Sequence, residues 1–443
     1  MSKNIFKILK PTLTLITVII FTGCTSMATP KPNIDVTNES KWWKSFKDET
    51  LNQLEEQALR DNNSLLAKLY AYEKAKLNVD LSQNALLPNF SASLNGDASR
   101  AIDKSDTTTK SFGSSLSISY KVDLFGKLKN AKNAKELEAS ATVQDYLSAR
   151  LILSAELARQ YYQIAYINES IALTKQNIQH QAKIFDMTKV RYTAGAISKL
   201  DLLSSEQSLI KLQTSLDSLE FQKQTAMTSL SILLGIEPNG IFKDLPTHLD
   251  TSKIPYIADI RAESLSYRPD MMANELRLKE ALVGVDTAKS NFYPSFSLTS
   301  SLGTSSNELL NILHNPVGSI GLNILLPFIN YNENAINYKI SKADYEIAKA
   351  NFRTSLFNAM KEINDALNAN EVYVLKDKKL SRSFESSKEI QNLSSIRYKA
   401  GAISMIDFIQ IAQNTINAQQ SFVDNKYDML TARIDLFEAT GGK

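Results

Sequence analysis

The side chains best placed to do work in this chain come as a matched set. Arg191, Tyr192 and Asp201 lie in one thirteen-residue stretch, and Arg397, Tyr398 and Asp407 follow in the same order 206 residues later. A guanidinium, a phenol and a carboxylate are groups that donate and accept charged hydrogen bonds. They do not make a covalent catalyst, because no nucleophile stands beside a base. His180, His248 and His314 are scattered and lack metal-ligand spacing. There is no phosphate-cradling glycine loop. An enzyme, a cofactor and a metal site are therefore not expected.

The set belongs to a longer repeat. Residues 191–203, RYTAGAISKLDLL, return as 397–409, RYKAGAISMIDFI, with eight of thirteen positions identical. The same offset relates Leu87-Pro88-Asn89-Phe90 to Tyr293-Pro294-Ser295-Phe296. A fixed period of this kind predicts one half built twice. The expected halves are residues 61–234 and 267–440, with an equatorial segment at 24–60 and a linker at 235–266.

Long helices must carry the repeated stretch. From about 127 to 193 the chain has neither proline nor glycine, and the second half repeats this from about 331 to 398. Leu151, Ala155, Ala158, Tyr162, Ala165 and Ala172 follow the spacing of a coiled-coil seam. A helix of that length is on the order of 100 Å long. Gly195 and Gly401 suit the helix end, where a positive φ turns the chain. Ser198 and Ser404 are placed to cap the returning helices, which run to about Leu234 and Thr440.

Between the helices the period changes to two. Phe112, Ser114, Leu116, Ile118, Tyr120, Val122 and Leu124 alternate with Ser111, Gly113, Ser115, Ser117, Ser119, Lys121 and Asp123. Strands are expected at about 89–98, 111–124, 295–303 and 317–327, paired as two hairpins. Their length and their apolar and Ser/Thr/Asn/Gly faces match membrane strands, apolar to lipid and polar to a lumen. A soluble sheet packed on helices is the alternative. Four strands cannot close a barrel and open edges do not survive in lipid, so a membrane reading needs several protomers, and three would give twelve strands.

The N-terminus reads as a leader. Lys3, Lys7 and Lys10 precede an apolar run from Leu13 to Phe21, and Phe21-Thr22-Gly23-Cys24 follows. Residues 1–23 read as a signal peptide. Phe21-Thr22-Gly23-Cys24 resembles a lipobox, which implies lipidation of Cys24, the only cysteine, with Thr25 after it implying the outer membrane. Phe21 stands where leucine is usual. The whole chain has 50 basic and 47 acidic residues; without the three leader lysines it is neutral. That speaks against a nucleic-acid partner.

At this point the chain resembles the TolC-like outer membrane factors, in the lipoprotein branch typified by OprM and NodT. The resemblance rests on Trp42-Trp43-Lys44-Ser45-Phe46 with Leu51, Leu54 and Ala58, then Ala85-Leu86-Leu87-Pro88 and Asp123-Leu124-Phe125-Gly126. Leu233-Leu234-Gly235 with Pro238, Tyr267-Arg268-Pro269-Asp270 and the two repeated tips complete it. It covers essentially the whole mature chain. It implies an α+β membrane protein: a homotrimer with a twelve-stranded β-barrel, four strands per protomer, above a coiled-coil α-helical tunnel across the periplasm.

The function implied is the outer membrane channel of a tripartite efflux system. Small molecules would pass from an inner-membrane pump, of resistance-nodulation-division type, through a periplasmic adaptor to the exterior. The turns Gly195-Ala196-Ile197-Ser198 and Gly401-Ala402-Ile403-Ser404 would dock the adaptor. Asp201 and Asp407 would ring a periplasmic aperture, while Tyr398, Arg397 and their mates Tyr192 and Arg191 would hold it closed. For the two aspartates, carboxylates favoured at a helix N-terminus are the competing reading. Two departures weaken the parallel: Gln410 stands where TolC has a second aspartate, and Ile403 where it has a basic residue. A polypeptide secretion duct and a non-conducting structural lipoprotein are the rival functions. The substrate is open between drugs, metal ions, detergents and siderophores.

Overall fold

The computed structural model describes residues 34, 41–100, 108–238, 245–254, 262–308, 311–312 and 316–442. The leader, Cys24 and His314 lie outside them, as do parts of the hairpin loops and of the linker. The chain divides into two compact units, Met1–Asn38 and Glu39–Lys443, and the described elements belong to the second.

A short 3-10 turn, Trp42–Phe46, precedes helices α1 (Glu49–Asp61) and α2 (Asn63–Asn84). Strands β1 (Asn89–Arg100) and β2 (Thr108–Val122) follow, then the long α3 (Lys127–Thr193) and the returning α4 (Lys199–Leu233). After the linker come α5 (Pro269–Ser290), β3 (Ser295–Ser306), β4 (Val317–Leu325), α6 (Tyr331–Lys399) and α7 (Met405–Ala439). Equivalent elements begin at the 206-residue offset: 63 and 269, 89 and 295, 199 and 405. At 67 residues, α3 is about 100 Å long at ~1.5 Å per residue.

The sheet is antiparallel in the order β1-β2-β3-β4. Phe90 pairs with Ile118 and Phe296 with Ile324, so the two hairpins share one register under the offset. Leu116 faces Leu302 across the central pair. One face carries Phe90, Leu94, Leu116, Ile118, Leu298, Leu302, Ile320, Leu322 and Ile324, all exposed. The other carries hydroxyls bonded across strands: Ser91 to Ser117 at 2.6 Å, Ser93 to Ser115 at 2.8 Å and Ser301 to Ser319 at 2.7 Å.

The strand ends differ from those expected. β1 and β2 run on through Ala98–Lys110 to Arg100–Thr108, because ladder bonds are backbone bonds and tolerate polar side chains. β2 stops at Val122 because Asp123 turns to accept from the Lys129 amide at 2.8 Å, near the start of α3. β4 stops at Leu325, short of Pro327, which has no N–H to give.

The buried core sits midway along the helices. Trp42 stacks on Phe437 with centroids 5.2 Å apart, and Phe46 meets Phe437 and Tyr162. Both tryptophans thus serve packing. Ala155, Ala158, Tyr162 and Ala165 are buried as the seam predicts, but Leu151 is only half-buried and Ala172 is exposed. A straight helix drifts about 20° per heptad from a 3.5 repeat, which carries residues 151 and 172 off the contact face. Among the described residues no helix is long and apolar enough to cross a membrane.

Candidate functional site

The two helical tips are built alike. α3 ends with Gly195 at φ 70°, and α6 ends with Gly401 at φ 72°. Ala196 N–H reaches back to the Arg191 carbonyl at 2.9 Å, and Ala402 N–H to the Arg397 carbonyl at 2.8 Å. These bonds close each helix with a left-handed residue that glycine adopts freely.

Each returning helix starts with a reciprocal cap. Asp201 N–H donates to Ser198 Oγ at 3.2 Å, while Asp201 Oδ2 accepts from Ser198 N–H at 3.0 Å and from its hydroxyl at 2.7 Å. Asp407 and Ser404 repeat this, with the hydroxyl bond at 2.6 Å. Both carboxylates therefore satisfy helix-start donors. The cap and the exposed position coexist, since Asp407 is exposed and Asp201 half-buried. Neither makes a salt bridge among the described residues.

The tips differ in packing. Arg191 Nη1 donates to the Tyr398 hydroxyl, and its guanidinium carbon lies 5.1 Å from the centre of the same ring. The Tyr398 ring also stacks on Phe408, centroids 5.3 Å apart and 7° from parallel. Ile184, Met405 and Ile409 complete this buried cluster, with Ile403 against it. So an arginine of the first half grips a tyrosine of the second, and Ile403 serves as apolar filling.

The repeat mates are not gripped. Tyr192 is 37% exposed, and Arg397 is exposed with no side-chain partner among the described residues. Gln410 donates to Asn414 at 3.0 Å along its own helix. Ala196 and Ala402 are exposed at the turns, with Ile197 half-buried.

Reading the sequence singled out Arg191 and Tyr398 but not Phe408, Met405 or Ile184. Ile184 precedes Arg191 by seven residues, a spacing that puts both on one helix face. That spacing was the available signal. Two ion clusters higher up were also missed. Arg159 of α3 pairs with Asp435 and Glu438 of α7. Arg268, nearly buried, holds Asp270 and Glu362 at 2.8 and 2.7 Å and the Ala439 carbonyl at 3.2 Å. Among the described residues no cluster of His, Cys, Asp or Glu could hold a metal ion.

The family model described as outer membrane efflux protein matches residues 54–236 and again 260–442. The two matches are 206 residues apart, the offset of the tips. The toxin and drug export protein A of Aggregatibacter actinomycetemcomitans is 27% identical, covering 99% of this chain and 98% of that one. Outer membrane protein OprJ of Pseudomonas aeruginosa is 27% identical, over 90% of this chain and 86% of its own. The crystal structure of the Campylobacter jejuni CmeC outer membrane channel superposes with a TM-score of 0.82 at 25% identity, covering 94% of this chain and 90% of that one.

Proposed function

The chain belongs to the outer membrane efflux protein family, and we propose that its two helical tips form the closable periplasmic aperture of such a channel. It is the outer membrane channel of a tripartite efflux system. Proteins of this family form trimers and work with a periplasmic adaptor and an inner-membrane pump.

The exposed apolar face of the sheet supports the membrane role. A row of bare Leu, Ile and Phe on one side, with bonded serines on the other, suits lipid outside and water inside. Three protomers pooling four strands each would make a twelve-stranded barrel above a tunnel of α3, α4, α6 and α7. Conduction needs no chemistry of its own.

The observation that carries the gate is the link from Arg191 to Tyr398. It joins the end of α3 to the end of α6, so it fixes two tips of one subunit relative to each other. Three copies each of Asp201 and Asp407 would give six carboxylates around the opening, which favours cations. The turns at 195–198 and 401–404 present small exposed residues, Gly195, Ala196, Gly401 and Ala402, a surface that fits the adaptor's hairpin. Cys24 is the proposed lipid anchor, and a resistance-nodulation-division pump the proposed partner.

Single-channel recording of the purified protein tests this reading. A small cation-selective conductance that grows when Arg191 is replaced supports a gated pore. A folded trimer with no conductance overturns it.

A further inference from the structure

A cavity of about 440 Å³ opens where the sheet meets the helices, within the ~300–1,000 Å³ of pockets that hold drug-sized molecules. Part of its lining is one rung of the sheet: Lys121 pairs with Ser297, and Ser297 with Asn323. All three stand on the face of the hydroxyl ladder, because Ser117 pairs with Ser301 and alternate residues share a face. Another part is aromatic. Phe125, in the turn into α3, stacks on Tyr293, just past the end of α5, with centroids 4.7 Å apart and 16° from parallel. Both rings remain open to a visitor, at 42% and 45% exposed.

The charge of the lining has one sign. Among the described residues its charged groups are Lys121, Lys127 and Asp123. Both lysines are exposed, and neither is in an ion pair among the described residues. Asp123 is engaged, since its Oδ2 accepts from the Lys129 amide at 2.8 Å. α3 starts after Gly126, which has no side chain to cap it, and carries no acid in its first turn. The returning helices α4 and α7 each start with a capping aspartate instead. A helix start without an acid of its own attracts anions. Lys121 is also the one basic side chain on the hydroxyl face of the described strands.

We propose that this cavity binds amphipathic organic anions, with Lys121 and Lys127 holding the acid group and the Phe125–Tyr293 stack holding the apolar body. That such a molecule is cargo in transit rests on the channel reading above, which turns the hydroxyl face toward the lumen. A trimer then carries three of these pockets at the junction of barrel and tunnel. The tip carboxylates act on the small ions that carry current, whereas the pocket acts on organic molecules that the pump delivers.

The test uses the full-length protein in a non-ionic detergent, with trimer confirmed by light scattering and 2-naphthalenesulfonate followed by titration calorimetry. Wild type should bind it saturably, one molecule per chain. Lys121→Gln/Lys127→Gln should bind about tenfold more weakly, the loss of one charged hydrogen bond, while Lys121→Arg stays near wild type. Phe125→Leu keeps both lysines, breaks the stack and should bind several-fold more weakly. Neutral 2-naphthol and inorganic sulfate each lack one half of the ligand and should bind far more weakly than the sulfonate. Undiminished binding in the folded Gln pair overturns the pocket. Undiminished binding in Phe125→Leu, or sulfate binding as tightly as the sulfonate, overturns its amphipathic character. Stoichiometric displacement by phosphatidylglycerol in mixed micelles overturns the cargo assignment in favour of a lipid. In bilayers the sulfonate should lower wild-type conductance and spare the Gln pair. Binding that leaves conductance untouched overturns the lumenal placement, and binding by a folded trimer that never conducts overturns the channel reading and leaves the pocket standing.

Discussion

Arg191 holds Tyr398 by two contacts at once, a hydrogen bond to the hydroxyl and a guanidinium over the ring. The ring also lies nearly parallel to Phe408. One aromatic side chain thus joins α3, α6 and α7 at the tip. Tyr398→Phe removes only the hydroxyl bond, whereas Arg191→Ala removes the bond and the cation–π contact. A half-exposed charged hydrogen bond contributes about 1 kcal/mol, and an exposed cation–π contact ~0.5–1 kcal/mol. Open-state occupancy should rise roughly five-fold in Tyr398→Phe and further in Arg191→Ala. A double variant no more open than Arg191→Ala would place both effects in the one pair.

Asp201 and Asp407 carry two candidate duties, capping and charge, and substitutions separate them. Asn at both positions keeps an acceptor for the Ser198 and Ser404 donors and removes the charge. Ser198→Ala with Ser404→Ala removes the hydroxyl caps, at ~1 kcal/mol each, and keeps the charge. Reversal potentials in a salt gradient should move toward non-selectivity in the Asn variant alone. Limited proteolysis should quicken at the tips in the Ala variant alone. A reversal potential unmoved by the Asn pair would return both aspartates to capping.

The strands, the long helices and the caps were legible because each follows from short spacings. Alternation marked Phe112–Val122, and Gly195 and Ser198 announced a turn and a cap. The grip of Arg191 on Tyr398 was not legible in its detail, because 207 residues separate the pair and only the fold decides that α3 neighbours α7. Equal motifs also concealed unequal burial: Tyr192 and Tyr398 have the same local sequence, yet one is open and one covered. Ala172 shows the other limit. A seven-residue pattern is read as a straight stripe, while the helix turns it away from its neighbour over three heptads.

Gly195 and Gly401 should respond equally to alanine. A Cβ at either would meet no atom within 4 Å, so the cost comes from the left-handed backbone alone, about 1 kcal/mol. The same change at Gly235, also at φ 71°, drives a Cβ to 2.2 Å from the Asp61 carbonyl oxygen. Detergent-purified trimer should therefore lose thermal stability far more in Gly235→Ala than in either tip variant. Equal losses at all three would contradict the packing of the linker against α1.

Glu55 carries a dependence on pH. It is fully buried on α1 among Ser154 and Arg150, and neither carboxylate oxygen has a hydrogen bond of normal geometry. Burial drives its carboxyl well above the ordinary 4.5; Ser154 and Arg150 oppose that only in part. The folded form binds the proton more tightly than the unfolded one. Stability from Glu55 is thus full below pH 4.5 and is lost as pH rises toward its folded value. Glu55→Gln should raise the melting temperature at pH 7 by several degrees and flatten this slope. Glu280 should give a milder version, its carboxyl being pushed up to about 7 by partial burial and then by Glu138. Glu280→Gln should therefore stabilise at pH 8 and change little at pH 4. Melting curves of both variants at the two pH values separate the sites.

The two faces of the sheet should tolerate charge in opposite ways. Leu94 and Ile320 are among the most exposed apolar side chains, at 80% and 83%, and adjoin Asn95 and Ser319 on the other face. Their exposure in water would be a liability, and lipid against the proposed outer face would remove it. Arginine at a lipid-facing position near mid-membrane costs ~2–4 kcal/mol and less near the interfaces. In the proposed barrel three symmetric copies would multiply that cost. Leu94→Arg should cut the yield of assembled trimer in outer membrane fractions sharply. Ser93→Arg, one residue away but on the face of the hydroxyl ladder, should assemble at near wild-type yield and lower cation conductance. A soluble sheet packed against another apolar surface would lose Leu94→Arg as well, so the lumen-side variant decides. Altered ion selectivity in Ser93→Arg requires that face to line water that ions cross, and unaltered selectivity would place the pore elsewhere.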